Sequence, residues 1–301
     1  ANFQTVFNLA TAVVLIPFAD WLVKLSLVVV RDDKPEAERH PELHTLDEKL
    51  YNSPAMALSV TMKAVAAAGR LAHLNFERGC QVLAKYDPVL AAEIDKDEDC
   101  IDQFTDNSDR FLIGLSKVVE TEADDRQLDM LMQTVPNFER IGDYATNMVE
   151  LAQRLQSENA AFSDMAKKEL ALITQAVNEI LEITVDAFSK DDNEAAKAIE
   201  PLEETIDDMI MMLKDRHTKR LKNGQCSIAS GLVFMEALTY FERASDQCSS
   251  IAVMMLARHN KQILQNHYEY LREIHAGNDV AYLAEKDRRR EQYIKPLKET
   301  H

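Results

Sequence analysis

Phe138-Glu139-Arg140-Ile141-Gly142-Asp143 and Phe241-Glu242-Arg243-Ala244-Ser245-Asp246 are two versions of one block, FERIGD and FERASD. In each, a Glu and an Asp stand four residues apart inside a helical pattern, so both carboxylates leave one face a single turn apart. Each block has an acidic partner upstream. Glu98 and Asp102 in DEDCID precede the first, and Glu203 and Asp207 in LEETID precede the second, again four apart. The copies are offset by 242 − 139 = 103 residues for the FER blocks and 203 − 98 = 105 for their partners. Offsets that agree to within two residues over this distance mean that a whole structural unit was duplicated.

Composition limits what that unit can be. The 301 residues include only 7 Gly and 8 Pro, and 46% are hydrophobic, which favours long helices around a sizeable core. The formal charge of −17 would repel a phosphate backbone, and no basic stripe interrupts it, so nucleic acid is excluded as a partner. Cys80, Cys100, Cys226 and Cys248 show no Cys-x-x-Cys spacing and read as reduced, structural residues.

Cap and breaker signals divide the chain. Residues 1–30 form an apolar segment. Val6 to Ala19 lacks charge and covers roughly 21 Å as a helix, short of the roughly 30 Å hydrocarbon core. Without a Met at position 1, the expectation is that this helix continues upstream, with Pro17 kinking or ending it. Lys24, Arg31, Lys34 and Arg39 follow it, which places the remainder on the cytoplasmic side; an amphipathic helix of a soluble protein is the alternative. Residues 31–52 read as a linker ending in the ordered piece LDEKLYN.

Ser53 and Pro54 open a helix to about Lys85, Asp87 and Pro88 a second to Val119, and a third covers about Asp124 to Leu155. These make repeat 1, residues 53–155. Repeat 2, residues 162–260, follows the same plan. Ser163 caps a helix to about Phe188, Asp191 or Asp192 opens one to about Leu221, and after Asn223-Gly224 a third runs from Ser227 to Asn260. Residues 261–301 continue as helix with a break at Gly277-Asn278. The expected fold is all-α, two tandem three-helix repeats forming a six-helix bundle, with a hydrophobic helix before it and helices after it.

The carboxylates carry the chemistry. Two from one helix and two from its neighbour give up to four oxygen donors and a mutual repulsion that a cation reverses. Oxygen-only ligation suits hard ions better than a structural zinc site, which takes Cys or His. The first candidate set is Glu98, Asp102, Glu139 and Asp143, with Asn147 one turn on and Glu150 near it. The second is Glu203, Asp207, Glu242 and Asp246, where Ser250 and Val253 take the places of Asn147 and Glu150. Arg140 and Arg243 would stand behind the carboxylates and offset their charge, or would face phosphate. A single Glu-x-x-x-Asp is common on acidic helices, where it is a solvated face or an internal ion pair; four in symmetric positions are not. Met209, Met211 and Met212 read as core packing, His259, His267 and His275 as surface or helix-end residues, and the run Asp95 to Asp99 as solvated apart from Glu98. No phosphate loop, nucleophile elbow or Ser-His-Asp set is present, so catalysis has no support.

Glu98, Ile101 and Asp102 beside FERIGDYATNMVE resemble the PhoU-like fold. LDEKLYNSPAMAL, the NFQTVFNL segment with Pro17-Phe18, and EYLREIHAGND are similar to the C-terminal region of bacterial sodium-dependent phosphate cotransporters of the Na/Pi type. That resemblance implies multinuclear iron or zinc clusters at the carboxylates, with manganese or magnesium also compatible with the donors. Tyr144 departs from it, since many members have His after the aspartate, and Pro136 lies just before the motif. The resemblance further implies a cytoplasmic regulatory domain that modulates phosphate uptake at the bacterial inner membrane. Its partner would be the membrane domain of the full-length chain, missing here, with inorganic phosphate and sodium met indirectly and a homodimer as an added expectation. The alternative it leaves open is a soluble PhoU-type signalling adaptor for a phosphate ABC permease and a histidine kinase. A di-iron oxidase bundle is excluded because the Glu-x-x-His motifs are missing from the motif helices.

Overall fold

The computed structural model describes residues 39–260, 263, 266–276 and 279–299; the apolar segment expected at 1–30 lies outside them. Two 3-10 turns, Pro41–His44 and Glu48–Asn52, lead into seven helices of the repeats: α1 (Pro54–Ala84), α2 (Pro88–Leu115), α3 (Glu122–Ser157), α4 (Asp164–Lys190), α5 (Asn193–Lys197), α6 (Ile199–Lys222) and α7 (Ile228–His259). Two more, α8 (His267–His275) and α9 (Val280–Glu299), follow. Among the described residues there is no strand.

The caps explain the boundaries. Asp87 accepts from the Val89 and Leu90 N–H groups, Thr121 from Asp124, Ser163 from Ala166 and Ser227 from Ser230. Each satisfies amides that have no partner inside the helix. Ser53 sits at the start of α1, but its side chain makes no cap bond; Pro54 alone marks the start chemically. Asp191 ends α4 in the left-handed region (φ 54°), and Gly224 does the same work in the turn after α6 (φ 66°).

The second helix of repeat 2 departs from the expected single span. It is broken at Ala198 into the five-residue α5 and α6. Pro201 is the cause: it has no N–H to give the Lys197 carbonyl, and its ring would strike that carbonyl in a continuous helix. Pro136, in contrast, lies inside an unbroken α3.

One core joins the repeats. α1 packs on α2, α3 and α4, α7 packs on α3, α4 and α6, and α9 lies along α6 and α4. By length and composition α1 could cross a membrane, yet most of its apolar window is buried inside the bundle. The FER phenylalanines knit the halves reciprocally. Phe138 of α3 meets Phe188 of α4 edge-on at 5.6 Å, and Phe241 of α7 meets Phe76 of α1 at 5.9 Å. With Phe turned inward, the Glu and Asp of each block are directed elsewhere, toward α2 and α6. The LDEKLYN piece straps onto repeat 1 through Tyr51, which stacks on Phe111 at 5.0 Å and donates to its carbonyl at 3.1 Å.

Candidate functional site

In repeat 1, α2 and α3 bring Glu98, Asp102 and Asp143 together so that one carboxylate oxygen of each lies within 4.8 Å of the others. Gly142 permits this approach: a Cβ there would stand 3.2 Å from Ile101 Cδ1, next to Asp102 on the facing helix. In repeat 2, Glu203 and Asp207 of α6 meet Asp246 of α7 within the same limit. Ligands about 2.1 Å from an ion lie about 3 Å apart when adjacent and about 4 Å apart when opposite. The donor spacing is therefore compatible with one hard cation per cluster after small side-chain movements.

Electrostatics point the same way. Burial, then the charges of Asp102, Asp143 and Asp99, push Glu98 up to about 7. Burial, Asp143 and Asp102 do the same to Glu139, also to about 7, against a lowering by Arg140. Glu203 is the most buried carboxylate of the two sets and rises to about 9 through burial and then Glu200, Asp207 and Asp246; Asp207 rises to about 6. Asp143 and Asp246 are raised as well, mainly by burial, with Arg140 and Arg243 opposing. Carboxyls kept from ionising by burial and by one another are groups whose charged form a cation would stabilise.

The remaining residues of the two sets are placed differently. Glu139 and Glu242 fall outside the tight groups of three. Asp109 adds to the repulsion on Glu139, whereas 105 residues later the equivalent position is Lys214, whose Nζ binds Glu242 at 2.6 Å. Lys214 thus pairs with Glu242 where repeat 1 sets a like charge beside Glu139, although both glutamates lie outside the groups of three. Asn147 is half-buried one turn beyond Asp143, while Arg140 and Arg243 are exposed.

Several contributors carried no motif. Glu200, 7% exposed, accepts from the Ser249 hydroxyl and lies 2.8 Å from His275 Nε2. His275 Nδ1 is 3.3 Å from Glu204, which also binds Lys286 at 2.8 Å. His275 is an exposed helix-end residue, as expected, and it also meets two carboxylates of α6. Asp97, read as solvated, is instead buried, and Arg78 binds it at 2.7 Å. Superposing the repeats at the 105-residue offset would have exposed the Asp109 to Lys214 exchange. Nothing local marked His275.

The family profile of the PhoU domain matches residues 65–152 and 170–255, one match per repeat. The chain belongs to the PhoU domain family. It is 25% identical over 158 residues to the phosphate-specific transport system accessory protein PhoU homolog of Aquifex aeolicus, covering 52% of this chain and 70% of that protein. It is 22% identical over 257 residues to the putative inorganic phosphate export protein YjbB of Escherichia coli, covering 84% of this chain and 47% of that protein. The chain therefore spans about half the length of the YjbB protein. The fold matches the crystal structure of the phosphate transport system regulatory protein PhoU from Streptococcus pneumoniae, with a TM-score of 0.62 at 19% identity, covering 69% of this chain and 98% of that one. PhoU from Pseudomonas aeruginosa gives the same TM-score at 21% identity. The expected all-helical, two-repeat PhoU architecture is thereby established, and the relatives' names tie the family to phosphate transport as accessory and regulatory proteins.

Proposed function

We propose that this chain is the PhoU-type regulatory part of a membrane phosphate transporter, and that its acidic clusters hold hard metal ions that set the spacing of α2 against α3 and of α6 against α7. Glu98, Asp102 and Asp143 are the ligands of the first ion, with Glu139 and Asn147 close enough to join them. Glu203, Asp207 and Asp246 are those of the second. The ions favour the charged forms of Glu98 and Glu203, which burial and then the neighbouring carboxylates otherwise push up to about 7 and about 9. Iron, manganese and magnesium suit the all-oxygen donors best, zinc less so.

One observation supports the attached transporter over a free-standing adaptor. Similarity to YjbB runs over 84% of this chain, whereas the pneumococcal PhoU fold accounts for 69% of it. The YjbB relatives are named for phosphate export, which suits a part attached to a transporter. In this reading the helical bundle lies at the cytoplasmic face of the bacterial inner membrane and acts on phosphate flow, whose coupling to sodium belongs to the membrane domain. The name of the YjbB relatives makes outward flow the direction to measure beside uptake.

The test is radiolabelled phosphate flux, both directions, in cells carrying the full-length protein or its Asp143→Asn, Asp246→Asn double variant at equal membrane abundance. A flux that no longer responds to phosphate supply in the variant supports the proposal; identical flux contradicts it. Recovery of the full-length protein in the soluble fraction without detergent favours the adaptor reading, to which the match with 70% of the Aquifex PhoU homolog also lends weight.

A further inference from the structure

The far end of repeat 2 holds a buried charge imbalance that repeat 1 lacks. Glu169 of α4 is fully buried and faces two arginines of α6, with Arg216 Nη1 at 3.4 Å and Arg220 Nη1 at 2.6 Å. Both arginines are only 8% exposed. Neither can shed its proton, so two positive charges stand against one negative charge in a desolvated place. His217 does not change this count: burial and then the Arg220 charge hold it below its ordinary range, and it stacks on Phe234 at 4.9 Å. Arg220 lies over the same Phe234 ring at 5.2 Å, and its Nε and Nη2 have no hydrogen-bond partner.

The duplication supplies an internal control. At the 105-residue offset, Glu169, Arg216 and Arg220 correspond to Ala64, Phe111 and Leu115, all buried and apolar. Three positions that are apolar core in repeat 1 carry charge in repeat 2. A buried ionic triad is commonly no more stable than the apolar set it replaces, so packing alone gives no reason for the exchange. The buried Arg78 and Asp97 pair of repeat 1 has no such surplus, one cation facing one anion at 2.7 Å.

Beside the arginines lies a cavity of about 510 Å³, lined also by Ser163, Lys219, Asn223 and Gln225. Ser163 and the two amides bring neutral hydrogen-bonding groups to its wall. Lys219 is an exposed rim residue shared with Asp215 at 2.7 Å. Guanidinium forks match the geometry of tetrahedral oxyanions.

We propose that this cavity is an oxyanion site for a phosphate group, with Arg216 and Arg220 as its cationic wall and Asn223 and Gln225 as neutral donors. The site is separate from the acidic clusters and does not require metal. The shared chemistry is that of inorganic phosphate and of a phospholipid headgroup, and two arms of one experiment separate them.

The full chain, stripped of metal with a chelator, is titrated with inorganic phosphate by calorimetry and mixed in parallel with phosphatidylglycerol vesicles in a flotation assay. Arg216→Gln should weaken the response about ten- to a hundredfold, the worth of one charge-assisted hydrogen bond. The triple variant Glu169→Ala, Arg216→Phe, Arg220→Leu copies the packing of repeat 1, should melt no lower than the parent, and should lose the response. Heat with phosphate assigns the free ion, and flotation lost only in the variants assigns the headgroup; either supports the site. No response in either arm, or a response that survives the triple variant, overturns it.

Discussion

Lys214 is the residue that makes the two metal-candidate clusters unequal. Its ammonium binds Glu242 and lowers the affinity of neighbouring Asp207 for a proton, whereas Asp109 in the matching place of repeat 1 adds negative charge beside Glu139. Lys214→Ala should therefore strengthen manganese binding at the second cluster severalfold, and Asp109→Lys should weaken it at the first by a similar factor, both read by calorimetry on metal-stripped protein. The pH response follows from the same carboxyls. Glu98 and Glu139 titrate near 7, and Glu203 near 9, in the folded chain, against 4.5 for an ordinary glutamate. Folding thus holds extra protons above about pH 4.5, and stability must fall as pH rises through about 7 and on toward 9. In metal-free protein the melting temperature should decline over that window; added manganese should raise it, and more so at higher pH, because the ion replaces the protons. A melting temperature that rises with pH in metal-free protein would contradict the account. The carboxylates were legible in the sequence because a motif repeated them. Lys214, Glu200 and His275 were not, because an ion pair between distant helices leaves no local spacing to read.

Helices and their ends were the most legible level. Asp87-Pro88, Ser163 and Ser227 announce helix starts through chemistry that acts within three residues. The break between α5 and α6 could have been inferred from Pro201 but was obscured by the regular acidic pattern around it. How closely two helices approach is harder to read; between α2 and α3, Gly142 leaves room for Ile101, whose Cδ1 would lie 3.2 Å from an added Cβ. Gly142→Val would drive methyl groups into Ile101, separating Asp102 from Asp143. The expected cost is about 1–3 kcal/mol in a denaturant melt, the usual range for overpacking. Manganese affinity at the first cluster should drop while the second is unchanged. Loss of stability with unaltered affinity at both would show that the glycine serves packing alone.

At the scale of the molecule, duplication produced two halves that share a core and diverge at their sites. The reciprocal phenylalanine contacts keep α3 and α7 back to back, so each acidic face looks toward its own partner helix. The two-repeat helical plan was readable from the offset together with the cap signals, and burial agrees with it: each buried residue of α4 has a buried counterpart in α1 105 positions earlier. The folding of α9 onto repeat 2 was foreseen only in outline; its anchors, Arg289 and Tyr293 on Glu179 and Lys286 on Glu204, are tertiary pairs without sequence signature. Lys286 and His275 both bind Glu204, the residue that follows Glu203 of the second cluster. The account as a whole depends on whether these clusters hold ions. Quantifying bound metals by mass spectrometry in untagged protein, beside Asp143→Asn, Asp246→Asn and the double variant, tests this most directly. Metal in the parent, reduced in each single variant and absent from the double, is the predicted result; a parent without stoichiometric metal, or a double variant that keeps it, would contradict the assignment.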